Sequence, residues 1–324
     1  MNYTPQQTFY KKRPFGDKLN ATFVFIRENA RPFLKVQLLI AGPILLLMTI
    51  LINQFSFDVV NLGFSPDDLS ASDLLSMFKL YGLLIVSGII TSAIMPAITF
   101  SYMSQYQSTS PEMIRNSDIT SGLGSRLFNL IGYNLLTTLI LGAVAFILAF
   151  AIGFSASASA FLVVLFGFAL LLSVIYIAVT LSLGPAIIVF EKNNPIDAIG
   201  RSFRLIQGKW WSTFGLIIVV GILATIINQL FGLPRAVFFG IKAFSSFEEG
   251  GDLSNMIQMS SGDQALNILF SVFETFGSIV TNSLIFIAIA FQYFNLVERK
   301  ESRGLMTQIE QLDDESKEDG DEVY

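Results

Sequence analysis

Neither cysteine nor histidine occurs anywhere in the 324 residues of this chain. Without cysteine there are no disulfides, no thiolate metal ligands and no thiol nucleophile. Without histidine the commonest general base and metal ligand is gone, and with it every Ser-His or Cys-His arrangement. Charge is also scarce: 14% of the residues are charged, against about a quarter in ordinary soluble domains. Apolar residues make up 52% of the chain, and the mean hydropathy is +0.61. Several runs reach the roughly 20 apolar residues that cross a hydrocarbon core. The composition specifies an all-α, polytopic helical membrane bundle.

Catalytic patterns are missing as well. The one Gly-Lys pair, Gly208-Lys209, lacks the spaced glycine and the following Ser or Thr of a phosphate loop. There is no nucleophile elbow, no zinc-binding His-Glu-x-x-His and no pair of membrane-embedded aspartates. No enzyme, cofactor or metal is expected.

Six spans can be drawn, at Leu34–Phe55, Tyr81–Met103, Leu127–Phe154, Ala160–Val189, Trp211–Leu233 and Leu266–Asn295. The segments between them then carry 17 basic residues on one side and only Lys79, Arg235 and Lys242 on the other. That bias places both termini in the cytoplasm of a cell with a cytoplasmic (inner) membrane. Residues 1–33 become a cytoplasmic arm with an interfacial amphipathic helix, 34–296 the six-helix domain, and 297–324 a cytoplasmic tail. The arm has no apolar signal region, so the first span is expected to serve as the insertion signal. The outer loops are acidic around Ser56–Leu80 and Pro234–Gln264, and Arg235–Phe244 is expected to lie as a short outer-surface helix broken by Glu248–Asp252. Ser155–Ser159 makes a tight hairpin of spans three and four. In the tail, Leu305, Ile309 and Leu312 fit a short amphipathic helix over Ser302–Leu312. Asp313–Glu322 carries a net −6 and reads as disordered.

The most informative stretch is the elbow Leu183–Trp211. Asn194 and Pro195 make a good helix start, N-cap followed by first helical position. Ile196, Ile199, Phe203 and Ile206 then fall on one stripe, while Asp197, Arg201 and Arg204 fall on another. Gly208 suits a C-cap, and Lys209, Trp210 and Trp211 belong at headgroup level. An interfacial helix results, with Arg201, Arg204, Lys209, Trp210 and Trp211 contacting lipid, anionic headgroups above all.

This pattern recurs. Asp17, Leu19, Thr22, Phe23 and Ile26 align with Asp197, Ile199, Ser202, Phe203 and Ile206, and Pro96-Ala97-Ile98 echoes Pro185-Ala186-Ile187. The first copy has its own apolar stripe at Phe15, Leu19, Phe23, Ile26, Ala30 and Phe33. A middle copy after Asp118 is weakened by Gly122 and Gly124. Two explanations stay open: three units, each an interfacial helix plus a hairpin, or convergence on a small alphabet.

Inside the spans one acid stands out, Glu274, which shares a helical face with Ser278 and Asn282. Ionisable groups in lipid are costly and mark functional sites by default, although Glu274 falls close to the outer interface. With Asn134 and Tyr176 these residues form the candidate intramembrane polar cluster. Asn129, Tyr133, Thr180, Asn228 and Gln229 read as polar contacts that knit helices together. Ala145, Ala149 and Gly153 favour close helix approach.

Gly184-Pro185-Ala186-Ile187-Ile188, the Ala198–Trp211 stretch and Phe291–Arg299 resemble a bacterial membrane-protein family. It is named for the membrane domain attached to some glycerophosphoryl diester phosphodiesterases. The resemblance implies a helical bundle in the cytoplasmic membrane. It transfers no catalytic residue, because the phosphodiesterase activity belongs to a separate soluble barrel absent from this chain.

Two functions follow as expectations. The first is a non-enzymatic scaffold, regulator or assembly partner of other membrane components, engaging the bilayer and other membrane proteins but no nucleic acid. The second is a transporter or lipid-handling protein with a midplane cavity. Reporter fusions at Arg201 and at the chain terminus are expected on the same, cytoplasmic face; opposite faces would overturn the topology.

Overall fold

The computed structural model describes residues 8–60, 70–155, 159–248, 260–306 and 309. Among them, apart from a 3-10 turn at Pro111–Met113, the regular elements are α-helices. They are α1 (Phe15–Ile40), α2 (Gly42–Val60), α3 (Ala71–Tyr106), α4 (Asn116–Thr120), α5 (Leu123–Ser155), α6 (Ala160–Leu181), α7 (Gly184–Glu191), α8 (Pro195–Ile206), α9 (Trp210–Glu248) and α10 (Ser261–Glu301). Five helical stretches are long and apolar enough to cross a membrane, and α1 with α2 makes a sixth if that bent pair is one span. The chain is a helical membrane bundle. Residues 61–69 of the Ser56–Leu80 loop, the Glu249–Asp252 part of the second outer loop, the middle of Ser155–Ser159 and Asp313–Glu322 lie outside the described residues. So do residues 307, 308 and 310–312 of the expected tail helix, of which Arg303–Met306 is seen as helix.

Several spans are longer than their apolar cores require. The α10 helix has 41 residues, about 60 Å at 1.5 Å per residue, twice the roughly 30 Å of hydrocarbon. Its start, like that of α3, is set by a polar capping box: Ser260 with Asp263, and Ser70 with Asp73. The expected separate outer helix at Arg235–Phe244 is instead the continuation of α9, which runs through Pro234 without stopping. A proline removes one hydrogen bond, and two ion pairs to α10 hold the continuation in place, Arg235 to Glu274 at 3.2 Å and Lys242 to Asp263.

Two other proline positions do break helices. The helix α1 runs past residue 33 to Ile40, and the chain bends by 54° before α2. The break falls where Pro43 can offer no N–H to the Leu39 carbonyl. The Ala160–Val189 run is likewise divided, into α6 and α7. Pro185 cannot donate to the Leu181 carbonyl, so Tyr133 of α5 does so, Oη to O at 2.6 Å. Its ring lies across Gly184, where a Cβ would come within 1.9 Å of the ring. Only glycine admits the tyrosine that satisfies the carbonyl proline has orphaned.

Around the bundle α9 packs on α10, α10 on α1, α2 and α3, α3 on α5, and α5 on α6, while α7 and α8 pack together beneath α3 and α5. The core is concentrated at the end where basic residues gather. There Phe9, Phe25, Phe33, Tyr102, Tyr106, Phe291 and Phe294 form one buried aromatic cluster. Away from that end α5 and α6 pack on each other and show the rest of their surface, Phe146, Phe150, Phe154, Phe161 and Phe168 among it, to the surroundings. Lipid is the solvent that makes such a surface stable.

The Tyr133–Gly184 contact yields a test. Gly184→Ala is expected to cost about 1–3 kcal/mol through overpacking, and Tyr133→Phe about 1–3 kcal/mol through the unpaired carbonyl. Thermal unfolding in detergent measures both.

Candidate functional site: an elbow at the basic end

The helix α8 starts as its sequence dictates, with Asn194 Oδ1 accepting from the Asp197 N–H at 2.9 Å and Pro195 in the first turn. It ends before Gly208, whose φ of +79° suits glycine. Burial divides it into three faces. Ala198, Ser202, Leu205 and Ile206 are buried against the bundle, Ile196 and Phe203 are exposed apolar groups, and Asp197, Arg201 and Arg204 form the polar side. The expected apolar stripe is therefore split: Ile196 and Phe203 point outward, while Ile206 is buried and Ile199 packs against the core. The first copy repeats this pattern. Lys18, Thr22 and Phe25 are buried as Ala198, Ser202 and Leu205 are, while Phe23 is 43% exposed and Phe203 40%. In the middle copy Gly122, at φ +70°, follows a helix of only five residues, Asn116–Thr120.

On the polar side the two arginines differ. Arg201 contacts Glu191 of α7 at 3.0 Å and Glu301 of α10, and Tyr293 donates to the same Glu191 carboxylate at 2.9 Å. Burial alone would lower the Arg201 pKa, but hydrogen bonds and charge from Glu191 and Glu301 outweigh it and hold it above its ordinary value. This guanidinium ties α7, α8 and α10 together instead of standing free for headgroups. Arg204 and Lys209 are exposed and form no ion pair among the described residues.

Beside Arg204 lies a cleft of about 390 Å³ between α6, α8 and the start of α9, lined by Tyr176, Phe203, Arg204, Gln207, Gly208 and Trp210 among others. Trp210 donates from Nε1 to the Tyr176 carbonyl at 3.2 Å and stacks on the Tyr176 ring at 5.7 Å and on Phe214 at 5.0 Å. Trp211 is 77% exposed on the adjoining face.

The candidate intramembrane cluster is dispersed. Glu274 pairs with Arg235, and Asn134 donates to Ser92 Oγ at 2.9 Å. Ser278 and Asn282 bond carbonyls of their own helix, those of Thr275 and Ser278. Tyr176 sits on Trp210. The helices are instead joined by polar contacts that hydropathy did not single out. Lys18, almost fully buried, donates to Ser212 at 2.8 Å and to Gln292 at 2.7 Å, and Gln292 donates to Thr213 at 2.7 Å. Gln37 donates to Thr99 at 3.0 Å, Tyr102 to Asn29 at 3.2 Å, and Asn53 accepts from Asn267 at 2.8 Å. No three carboxylates among the described residues converge as a metal site requires.

A family model described as Domain of unknown function (DUF7847) matches residues 25–294, from the middle of α1 to the last turns of α10. The chain belongs to the DUF7847 family. No curated protein and no solved structure matches it. The DUF7847 match takes in the whole elbow with Glu191, Arg201, Arg204 and the Tyr176–Trp210 contact, and stops short of Glu301.

Lys18 and Gln292 could not be singled out beforehand. Lys18 reads as one more cytoplasmic charge, and its burial depends on where α9 and α10 pass. Arg201→Met is expected to cost on the order of 3 kcal/mol, because Glu191 is left poorly paired. In the Glu191→Gln background the same change should cost less, by a coupling of about 1–3 kcal/mol. A double-mutant cycle on thermal unfolding measures the difference.

Proposed function

We propose that this DUF7847 protein is a multi-pass, non-enzymatic protein of the cytoplasmic membrane, with both termini in the cytoplasm. It acts as a scaffold, regulator or assembly partner of other membrane components. One observation carries the reading: several buried polar side chains within the spans are taken up in helix-to-helix hydrogen bonds. Asn53 with Asn267 and Ser271, Thr49 with Thr275, and Gln37 with Thr99 are held this way. A transporter needs such groups to converge on a shared path, whereas Asn134, Tyr176 and Asn282 have separate contacts. The excess of basic residues at one end supports the orientation, and the short stretches Gly184–Ile188 and Phe291–Arg299 support kinship with stand-alone membrane domains of the phosphodiesterase-associated type. In this reading α8 lies in the cytoplasmic interface, polar side to water, with anionic lipid headgroups nearby.

Purification of the full chain from its own membranes in mild detergent tests this. A stoichiometric membrane-protein partner, with a particle mass above the 35.8 kDa of one chain, is the expected result. A partner-free monomer that moves a solute across liposome membranes overturns it.

A further inference from the structure

We propose that the cleft between α6, α8 and α9 is a binding site for one anionic phospholipid, its phosphate held at Arg204 and Lys209 and its acyl chains laid between α6 and α9. The proposal rests on the placement of α8 in the membrane interface and goes beyond it, because a site prefers one lipid where a surface only attracts charge.

Three observations converge on this occupant. The first is the shape of the cleft. Its floor is the stacked pair Tyr176 and Trp210, which joins α6 to α9 at the basic end, and Phe214 stacks on Trp210 behind it. From Tyr176 a row of α6 side chains at i−4 and i−3 spacing runs back through Leu172, Phe168, Leu165 and Phe161, each exposed. From Trp210 the i+4 ridge of α9 runs through Phe214 to Ile218, Ile222 and Ile226, the last three exposed. Two apolar ridges thus lead away from one aromatic floor into the hydrocarbon, a surface that acyl chains fit and water does not.

The second is charge. Arg204 lines the cleft and Lys209 stands beside its Gly208 wall, and neither has a carboxylate partner among the described residues. Three residues before Arg204, Arg201 has two carboxylates. No Asp or Glu lines the cleft. A guanidinium presents a planar donor fork suited to phosphate, so the unpaired Arg204 lining an apolar cleft, with unpaired Lys209 next in sequence to its Gly208 wall, calls for an anion with an apolar tail.

The third is the remaining polar lining. The Tyr176 hydroxyl and the Gln207 amide make no hydrogen bond among the described residues. Both are donors suited to the glycerol and phosphate oxygens of a headgroup.

The chain carries its own reporter, since Trp210 and Trp211 are its two tryptophans. Trp211→Phe leaves Trp210 alone at the floor of the cleft. In nanodiscs, dibrominated phosphatidylglycerol is expected to quench Trp210 with a higher association constant than dibrominated phosphatidylcholine at the same mole fraction. Arg204→Gln and Lys209→Gln, each in that background, should reduce the preference about fivefold per cation. Inorganic phosphate should not relieve the quenching. Trp210→Phe, which leaves the outward-facing Trp211, should show little preference between the two lipids. Equal quenching of Trp210 by both lipids overturns the proposal, as does an equal preference at Trp211, the mark of bulk surface charge. Relief by inorganic phosphate overturns it in favour of a free-anion site. Quenching by phosphatidylcholine should persist in Arg204→Gln, which confirms that the variant is inserted and folded. Loss of quenching by either lipid in the parent would instead remove α8 from the interface, a failure of the underlying placement and not of lipid selectivity.

Discussion

In hydrocarbon a backbone carbonyl must find a donor within the protein, and the elbow of this fold is arranged around one that lost its own. Pro185 withdraws the N–H that Leu181 would have received, and α6 stops there. Tyr133 crosses from α5 to replace it, and Gly184 leaves room for its ring. This single contact fixes where α5, α6 and α7 meet. The short α7 then directs the chain through Lys192, in the left-handed conformation at φ 56°, into the Asn194 cap of α8. What reads in the sequence as a Gly-Pro punctuation mark is therefore a three-helix junction. Its position sets the depth at which the polar side of α8 and the tryptophans at the start of α9 lie.

A second constraint is that α8 meets three surroundings at once. A soluble amphipathic helix divides into an apolar and a polar side, and its apolar side is its core. In the proposed placement Ile196 and Phe203 can face lipid, while Ala198, Ser202, Leu205 and Ile206 pack on the bundle. The division explains why two arginines three residues apart have different fates. Arg201 borders the protein face and reaches Glu191 and Glu301, while Arg204 lies toward the lipid-facing side and reaches no carboxylate among the described residues. Conversely Lys18, the counterpart of Ala198, is buried with Ser212, Gln292 and the Phe15 ring for neighbours.

Much of the architecture could be read from composition and spacing, because the bilayer imposes length and polarity rules stronger than local propensity. The spans, the Asn194 cap, the Pro195 start and the Gly208 turn are all visible in that way. What escaped notice follows from the same rules. Hydropathy marks the stretch that must be apolar and says nothing of how far a helix continues beyond it, so the capped starts of α3 and α10 and the run of α9 through Pro234 fell outside the drawn spans. Glu274 is legible as unusual, but hydropathy ends span five before Arg235, and only the continuation of α9 brings Arg235 beside it. The polar contacts among Lys18, Gln292 and Thr213 link residues hundreds of positions apart, and no periodicity carries that information.

The internal similarity gains physical content from burial. Thr22 and Ser202, like Phe25 and Leu205, are fully buried at aligned positions, and Phe23 and Phe203 are alike exposed. Two helices that precede different spans thus share a buried face and an exposed phenylalanine in the same register. The middle segment shows what the arrangement requires when the helix is lost. Gly122 cuts it to α4, and Arg126 at the start of α5 folds back to donate to the Ile119 carbonyl at 3.3 Å and to Ser101 at 2.9 Å. A longer helix would have satisfied that carbonyl along its own axis; here a side chain does so and ties α4 to α3. The three segments differ in helix length because they differ in how backbone groups near lipid are satisfied, and each still places a buried apolar group, Phe25, Ile119 or Leu205, against the basic end of the bundle.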